Sequence, residues 1–219
     1  MKVINGVKNQ LSKHKRDSNK QALDENLYKE FAEAAWHGQT KLIEQLLDKG
    51  ADVRANNDVA LLFAASNGHT ASVELLLNRG ADVHAENDSA ISQAANSGHT
   101  ETVELLLDRG ADIHSNNDWA LTRAAFEGRT ATVKLLLDRG ADIHIKNDVA
   151  LYCAADQGHT ETTSLMLIEY NMKIKPETRD FLKKKAPDTF KILEKRDLSE
   201  KLKATLKPKS AQQERVMKI

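Results

Sequence analysis

Hydrophobic and polar positions along this chain follow an order that returns every thirty residues. An alanine-rich apolar stretch such as VALLFAAS leads to a glycine, and a leucine-rich stretch such as VELLLN leads to the motif RGAD. The two glycine series are Gly38, Gly68, Gly98, Gly128 and Gly158, and Gly50, Gly80, Gly110 and Gly140. This pattern predicts two short helices in each unit, each ending at a glycine that can adopt the left-handed conformation.

Polar residues with a preference for helix starts precede both helices. The first helix is predicted to begin at the aspartate of NNDxAL (Asp58, Asp88, Asp118 and Asp148), and the second at the threonine of GHT or GRT (Thr70, Thr100, Thr130 and Thr160). Both residue types can accept from free backbone N–H groups as N-caps. Because neither helix is long enough to be stable alone, neighbouring pairs must stack.

The recurring AAxxGHT and VELLLxRGAD motifs resemble the ankyrin repeat over residues 26–175. The resemblance implies an all-α ankyrin-type solenoid of helix-turn-helix units. We place an array at 23–175 with about five units, at 26–57, 58–87, 88–117, 118–147 and 148–175. Units of this short NNDxAL kind are similar to those of ankyrin proteins from giant viruses and intracellular bacteria.

The units depart from the usual ankyrin pattern in length and in sequence. They are three residues shorter than the family's unit of about 33, and the missing residues fall where the family builds a projecting hairpin loop. VALL at 59–62 stands in place of the family's T-P-L-H start, so we expect the capping aspartate to replace the usual Thr and His contacts.

The two ends of the chain lack the repeat and differ from it in charge. Residues 26–172 carry 11 basic and 22 acidic residues, whereas residues 173–219 carry 15 basic and 7 acidic ones. We interpret 1–22 as a basic N-terminal segment and 176–219 as a basic helical C-terminal cap and tail. Pro176 can start one helix of this cap and Asp188 can cap another. The apolar residues expected to cover the end of the stack are Phe181, Leu182, Phe190, Ile192 and Leu193.

Comparing the units with one another separates scaffold positions from variable ones. The variable positions are 59, 62, 63, 66 and 67 with their counterparts, which share one helical face. Aromatic residues and arginine, the types enriched at binding hot spots, occur there. The candidate partner-binding residues are Trp36, Phe63, Trp119, Arg123, Phe126, Glu127, Tyr152 and Asp156. The alternative is that Trp119 and Phe126 pack between neighbouring repeats. The resemblance implies that this face lines a concave groove, whose floor carries more of the contact when the loops are short.

The sequence contains no motif that indicates catalysis, a metal site or a cofactor. Nucleophile elbow, P-loop, HExxH and GxGxxG motifs are all missing from the chain. Histidines such as His84 and His114 recur once per repeat, roughly 8–10 Å apart, which is too far for a shared zinc ion. We expect them to make structural hydrogen bonds, and we expect Cys153, the single cysteine, to be a buried helix residue.

These observations favour a non-enzymatic protein-interaction module that binds a protein partner in the groove. We expect no small-molecule substrate, no nucleic-acid or membrane binding, and a monomer. Without a signal peptide or a membrane span, a cytoplasmic location is expected, or the host cytosol if an intracellular parasite secretes the chain. The basic runs KHKR at 13–16 and KKK at 183–185 leave the nucleus as an alternative. The alternative is an adaptor or secreted effector whose basic C-terminal segment contacts an acidic protein, a membrane or nucleic acid.

Overall fold

A computed structural model describes residues 25–206, and this part of the chain is helical without strands. The predicted all-α class is therefore confirmed. The helices are α1 (25–36), α2 (Thr40–Asp48), α3 (Ala55–Ser66), α4 (Thr70–Asn78), α5 (Ala85–Ser97), α6 (Thr100–Asp108), α7 (Ser115–Phe126), α8 (Thr130–Asp138), α9 (Ile145–Asp156), α10 (Thr160–Ser164), α11 (Pro176–Lys185) and α12 (Pro187–Leu206). The expectations for residues 1–22 and for the tail beyond residue 206 lie outside the described residues.

The described residues form two compact units, which divide between Asp142 and Ile143. Unit 1 contains the four helical pairs from α1 to α8. Unit 2 contains the fifth pair together with α11 and α12. The division thus falls between α8 and α9, whereas the sequence suggests a boundary at residue 175, where the repeat motif ends.

The core of unit 1 is built from the positions that all repeats share. In α3 the side chains of Ala60, Leu61, Ala64 and Ala65 are at most 1% exposed. The small alanine side chains allow first helices of neighbouring repeats to approach closely, and α5 contacts both α3 and α7. In α4, Val73 and Leu76 are fully buried. Each helical pair therefore buries its apolar face only because a neighbouring pair covers it.

A left-handed turn stands where the shortened hairpin loop was predicted. Asn56, Asn57 and Asp58 all have positive φ of 51–58°, and the same conformation recurs at the corresponding residues of α5, α7 and α9. The right-handed part of α3 begins only after Asp58. Asparagine and aspartate tolerate this backbone region better than most other residues. The NND motif thus encodes a turn of three left-handed residues.

The prediction that these aspartates cap their own helix is wrong. Asp58 is 5% exposed, and its Oδ1 accepts at 2.7 Å from the backbone N–H of Asp82, in the turn that follows α4 of the same unit. Asp88 and Asp118 accept in the same way from the residues 24 positions further on, at 2.9 Å. The left-handed turn moves the carboxylate away from the start of its own helix. The aspartate therefore joins the start of the first helix to the turn that follows the second helix of its unit.

The second helices begin at threonine as predicted, but these threonines do not act as N-caps. The cap position is the preceding residue, such as His69, without a side-chain cap bond. The Thr70 hydroxyl instead lies 2.8 Å from that of Thr102 in the next repeat, and Thr100 and Thr132 are paired likewise. These hydroxyls form a second set of bonds, and this set joins neighbouring repeats.

Arginines add a third set of bonds between second helices. Arg109 donates to Glu74 Oε1 at 2.7 Å and to Asn78 Oδ1 at 2.8 Å in the preceding repeat. Arg79 and Arg139 make the equivalent contacts with their own preceding repeats, in each case with residues 31 and 35 positions back. Bonds at the same offsets of 31, 32 and 35 residues thus recur between neighbouring repeats of unit 1.

The glycines adopt positive φ at both predicted positions, as the helix ends require. At Gly68 (φ +72°) a Cβ atom would lie 2.4 Å from the ring of His99, whereas at Gly80 (φ +99°) there is open space. Gly38, Gly68 and Gly98 therefore also make room for a side chain of the next repeat. The hydrogen-bonding role expected for the histidines is confirmed, since His84 Nδ1 lies 3.0 Å from Asp88 Oδ1.

In unit 2 the second helix of the fifth pair ends in a π-helical turn, Leu165–Glu169. Arg196 of α12 donates to the carbonyl of Leu167 in this turn and to Asp197. α11 begins at Pro176 as predicted, and Leu182 and Leu193 are fully buried.

Two details of the predicted cap are wrong. Ile192 is 39% exposed, because it faces away from the buried side of α12 that contains Leu193. Asp188 is not the N-cap of α12, because this helix already begins at Pro187. Its carboxylate accepts instead from Lys191 Nζ at 3.0 Å.

Candidate functional site

The variable face of the first helices in unit 1 is a partly exposed row of aromatic and charged side chains. We call it the aromatic stripe; its members are Trp36, Phe63, Trp119, Arg123, Phe126 and Glu127. The exposed fractions of Trp36, Trp119 and Phe126 are 47%, 44% and 38%. Position 62, which the sequence also assigned to the variable face, does not belong to the exposed row, because its counterparts Ser92 and Thr122 are buried.

At one end of the stripe, aromatic residues of α1 and α3 form an open groove. The rings of Trp36 and Phe63 meet edge to face, with centroids 5.3 Å apart. The groove has a volume of about 480 Å³, and Tyr28 and Ala32 complete its apolar wall. Sequence reasoning missed Tyr28, although its spacing of eight residues before Trp36 places it on the same helical face, whereas Ala32 is the counterpart of variable position 62.

At the other end, α7 carries an aromatic residue beneath a cation. The Arg123 guanidinium carbon lies 5.6 Å from the centroid of the Trp119 ring, within cation–π distance. Since Trp119 and Arg123 are four residues apart, the helix itself brings them together. The neighbours Thr122 and Ala124 are buried, which fixes this part of α7 in the core of unit 1.

Between the two ends of the aromatic stripe, the variable face of α5 is polar. Gln93 is exposed, and Asn96 Oδ1 is buried without a hydrogen-bond partner among the described residues. The backbone carbonyl of Asn96 accepts from Arg129 Nε at 3.2 Å. The variable face of unit 1 thus has apolar groups at both ends and the amide groups of Gln93 and Asn96 between them.

In unit 2 the remaining two candidate residues are engaged by α11. The ring of Tyr152 packs against Phe181 with centroids 4.5 Å apart, and its hydroxyl donates to Thr178 Oγ1 at 3.2 Å. Asp156 forms an ion pair with Lys185 at 2.9 Å. Both side chains therefore contribute to contacts within unit 2, and the exposed aromatic surface of the candidate site lies on unit 1.

Residues with potential metal or nucleophilic chemistry do not converge in the part of the chain that the structure describes. Residues 25–206 contain no group of three or more His, Cys, Asp or Glu side chains that could hold a metal ion. Cys153 is half-buried, less than its helix pattern predicts, and this burial raises the pKa of its thiol. A raised thiol pKa disfavours the nucleophilic thiolate.

Helical pairs that repeat the same contacts and leave one helical face exposed define the class of repeat scaffolds. A family model described as ankyrin repeats in three copies matches residues 31–117 and again 61–147. The chain belongs to the ankyrin repeat family, whose members generally act as protein-protein interaction modules and are typically non-enzymatic scaffolds. The comparison with curated proteins found no match. Within residues 25–206, no helix combines the length and the apolar character that membrane crossing requires.

Proposed function

We propose that this protein binds a protein partner along the aromatic stripe of unit 1. The observation that carries the proposal is the exposure of Trp36, Trp119 and Phe126 on the variable face. The scaffold positions beside them in the same helices are almost completely buried. Large apolar side chains left in solvent on one face, within an otherwise well-packed array, indicate a surface that another molecule covers.

The energetic argument rests on the residue types. A buried aromatic side chain removes about 150–250 Å² from water. At about 25 cal/mol per Å², covering the exposed part of Trp119 is worth roughly 2 kcal/mol, which is typical of a hot-spot residue. Backbone order in α7 is already established by its buried neighbours, so binding loses little conformational entropy there.

A direct test places a photo-crosslinking amino acid at Phe126 in the full chain. The control carries it at Glu101, an exposed residue of the second helix α6. The captured protein is then purified and its affinity measured by calorimetry. We expect Trp119→Ala and Phe126→Ala each to weaken binding by about tenfold to thirtyfold, and Glu101→Ala to leave it unchanged. Crosslinking only from position 101, or affinities unchanged by both aromatic variants, would exclude the stripe as the site.

A second candidate function rests on the end of α12. Leu198 and Leu202 are 68% and 58% exposed and are one helical turn apart. Lys195 and Lys201 flank them, so this segment could dock on an acidic partner as an adaptor. Ending the chain after Asp197 removes both leucines and keeps the contact between Arg196 and Asp197. Loss of partner binding in this truncation, with binding retained in Trp119→Ala, would favour the second candidate.

A further inference from the structure

We propose that Trp119 and Arg123 form a receptor for a carboxylate side chain, Asp or Glu, that stands next to a bulky apolar residue in the partner. This inference rests on the proposed function, since it names the chemistry recognised at one end of the same stripe. It is carried by the contacts of the arginines in unit 1.

Arg123 differs from the other arginines of unit 1 because it has no acceptor. Its guanidinium makes no hydrogen bond or ion pair with any described residue, and it lies against the Trp119 ring. The other five arginines among the described residues of unit 1 each donate to at least one acceptor; they are Arg54, Arg79, Arg109, Arg129 and Arg139. These five are thus held by acceptors within the array, whereas the arginine of the stripe has its donors available.

The other cation on this face has a partner. Lys29 of α1 lies 2.9 Å from Glu25 in an i,i+4 ion pair. Arg123 therefore provides the available positive charge of the stripe. A guanidinium has five N–H donors in a planar fork, which matches the two oxygens of a carboxylate.

The tryptophan ring prepares Arg123 for this role. A cation held over an aromatic face loses less side-chain freedom on binding than a free one, so more of the interaction appears as affinity. Because Arg123 contacts a ring and no hydrogen-bond acceptor among the described residues, its N–H donors are left for a ligand. Because Trp119 and Phe126 are exposed beside it, an apolar residue next to the bound carboxylate can be covered at the same time.

The charge of unit 1 favours a carboxylate over a phosphate. Residues 25–142 contain 10 basic and 19 acidic side chains, and Glu127 lies one helical turn beyond Arg123. A dianionic phosphate, and still more a nucleic acid, is repelled by this surface more strongly than a single carboxylate is. The partner is therefore a protein segment with an isolated acidic residue.

The test selects peptides from a displayed random library of dodecapeptides on the full-length protein, and then measures synthetic versions by calorimetry. We expect selected peptides to carry Asp or Glu beside an aromatic or aliphatic residue. Arg123→Gln should weaken their binding by about tenfold to a hundredfold. Arg123→Lys should lose part of this affinity, because it keeps the charge without the fork. Arg109→Gln, which removes an arginine of the repeat contacts, should leave the affinity unchanged, with helicity checked by circular dichroism.

Each outcome distinguishes this inference from the proposed function. If Trp119→Ala weakens peptide binding and Arg123→Gln does not, the carboxylate receptor is wrong and the stripe remains the site. If neither variant has an effect, both proposals fail. A selection that enriches no acidic peptide also overturns the inference. Replacing the acidic residue by phosphoserine should not improve binding; a tenfold gain would identify a phosphate receptor instead.

Discussion

The bond from each left-handed aspartate to the turn after the second helix of its unit predicts a large difference between two substitutions at Asp88. This side chain is 5% exposed, its φ is +56°, and Oδ1 accepts from the backbone N–H of Asp112 at 2.9 Å. Asp88→Ala leaves that N–H without its acceptor, which costs about 1–3 kcal/mol. It also places an alanine in the left-handed region, at a cost of about 1 kcal/mol. Asp88→Asn keeps an oxygen acceptor and a residue that tolerates the turn.

We therefore expect Asp88→Ala to lower the free energy of unfolding by roughly 2–4 kcal/mol, and Asp88→Asn by less than about 1 kcal/mol. Urea denaturation of the full chain, followed by circular dichroism at 222 nm and by tryptophan fluorescence, measures both. Glu101→Ala serves as the control, with a change within about 0.5 kcal/mol. Equal losses for the alanine and asparagine variants would show that the negative charge of Asp88, and not its role as an acceptor, stabilises this turn. A negligible loss for both would refute the bond as a stabilising contact.

Three further predictions concern the same array. Burial raises the pKa of Asp58, against the opposing effect of the Asp82 N–H. Its contribution to stability is therefore present in acid and lost as the pH rises through its folded pKa, above the ordinary value of 3.8. We therefore expect the urea midpoint to fall between pH 4 and 7, and Asp58→Asn should reduce this fall. Arg109→Ala should lower the free energy of unfolding by about 0.5–1 kcal/mol in low salt and by less in 1 M NaCl. The reason is that Glu74 is 54% exposed, so salt screens its ion pair with Arg109. A loss independent of salt would contradict an ionic origin. Gly68→Ala should lower the melting temperature more than Gly80→Ala, since only the first brings a Cβ atom within 2.4 Å of a neighbouring ring, that of His99. Adding His99→Ala should recover part of that difference, and equal melting temperatures for the two glycine variants would contradict the steric explanation.

The helical pairs could be predicted because their signals are local. The second helices begin at the threonines and end at the glycines that the motif marks, since caps and turns depend on residues a few positions apart. The roles of Asp58 and Thr70 could not be predicted in this way. Aspartate and threonine are equally suited to capping a helix and to bonding a neighbour, and their actual partners lie 24 and 32 residues away.

The candidate site shows the same limit. Helical spacing placed Trp36, Trp119 and Arg123 on the variable face, and the structure shows that all three are accessible there. The spacing did not show that α11 engages Tyr152, because the C-terminal segment lacks the repeat. The spacing also could not show that Arg109 has acceptors and Arg123 has none among the described residues. The hydrogen bonds of an arginine depend on which acceptors other helices place beside it.

The constant offsets between bonded residues have a consequence for how such a chain can change in length. Asp88 bonds within its own unit at an offset of 24 residues, and Arg109 reaches the preceding repeat at offsets of 31 and 35 residues. A duplicated or deleted segment of thirty residues would therefore preserve these offsets, wherever its ends fall within the repeat. Gene duplication in this region can lengthen or shorten the binding face by one helical pair at a time, while the identities of the exposed residues diverge independently of the scaffold that carries them.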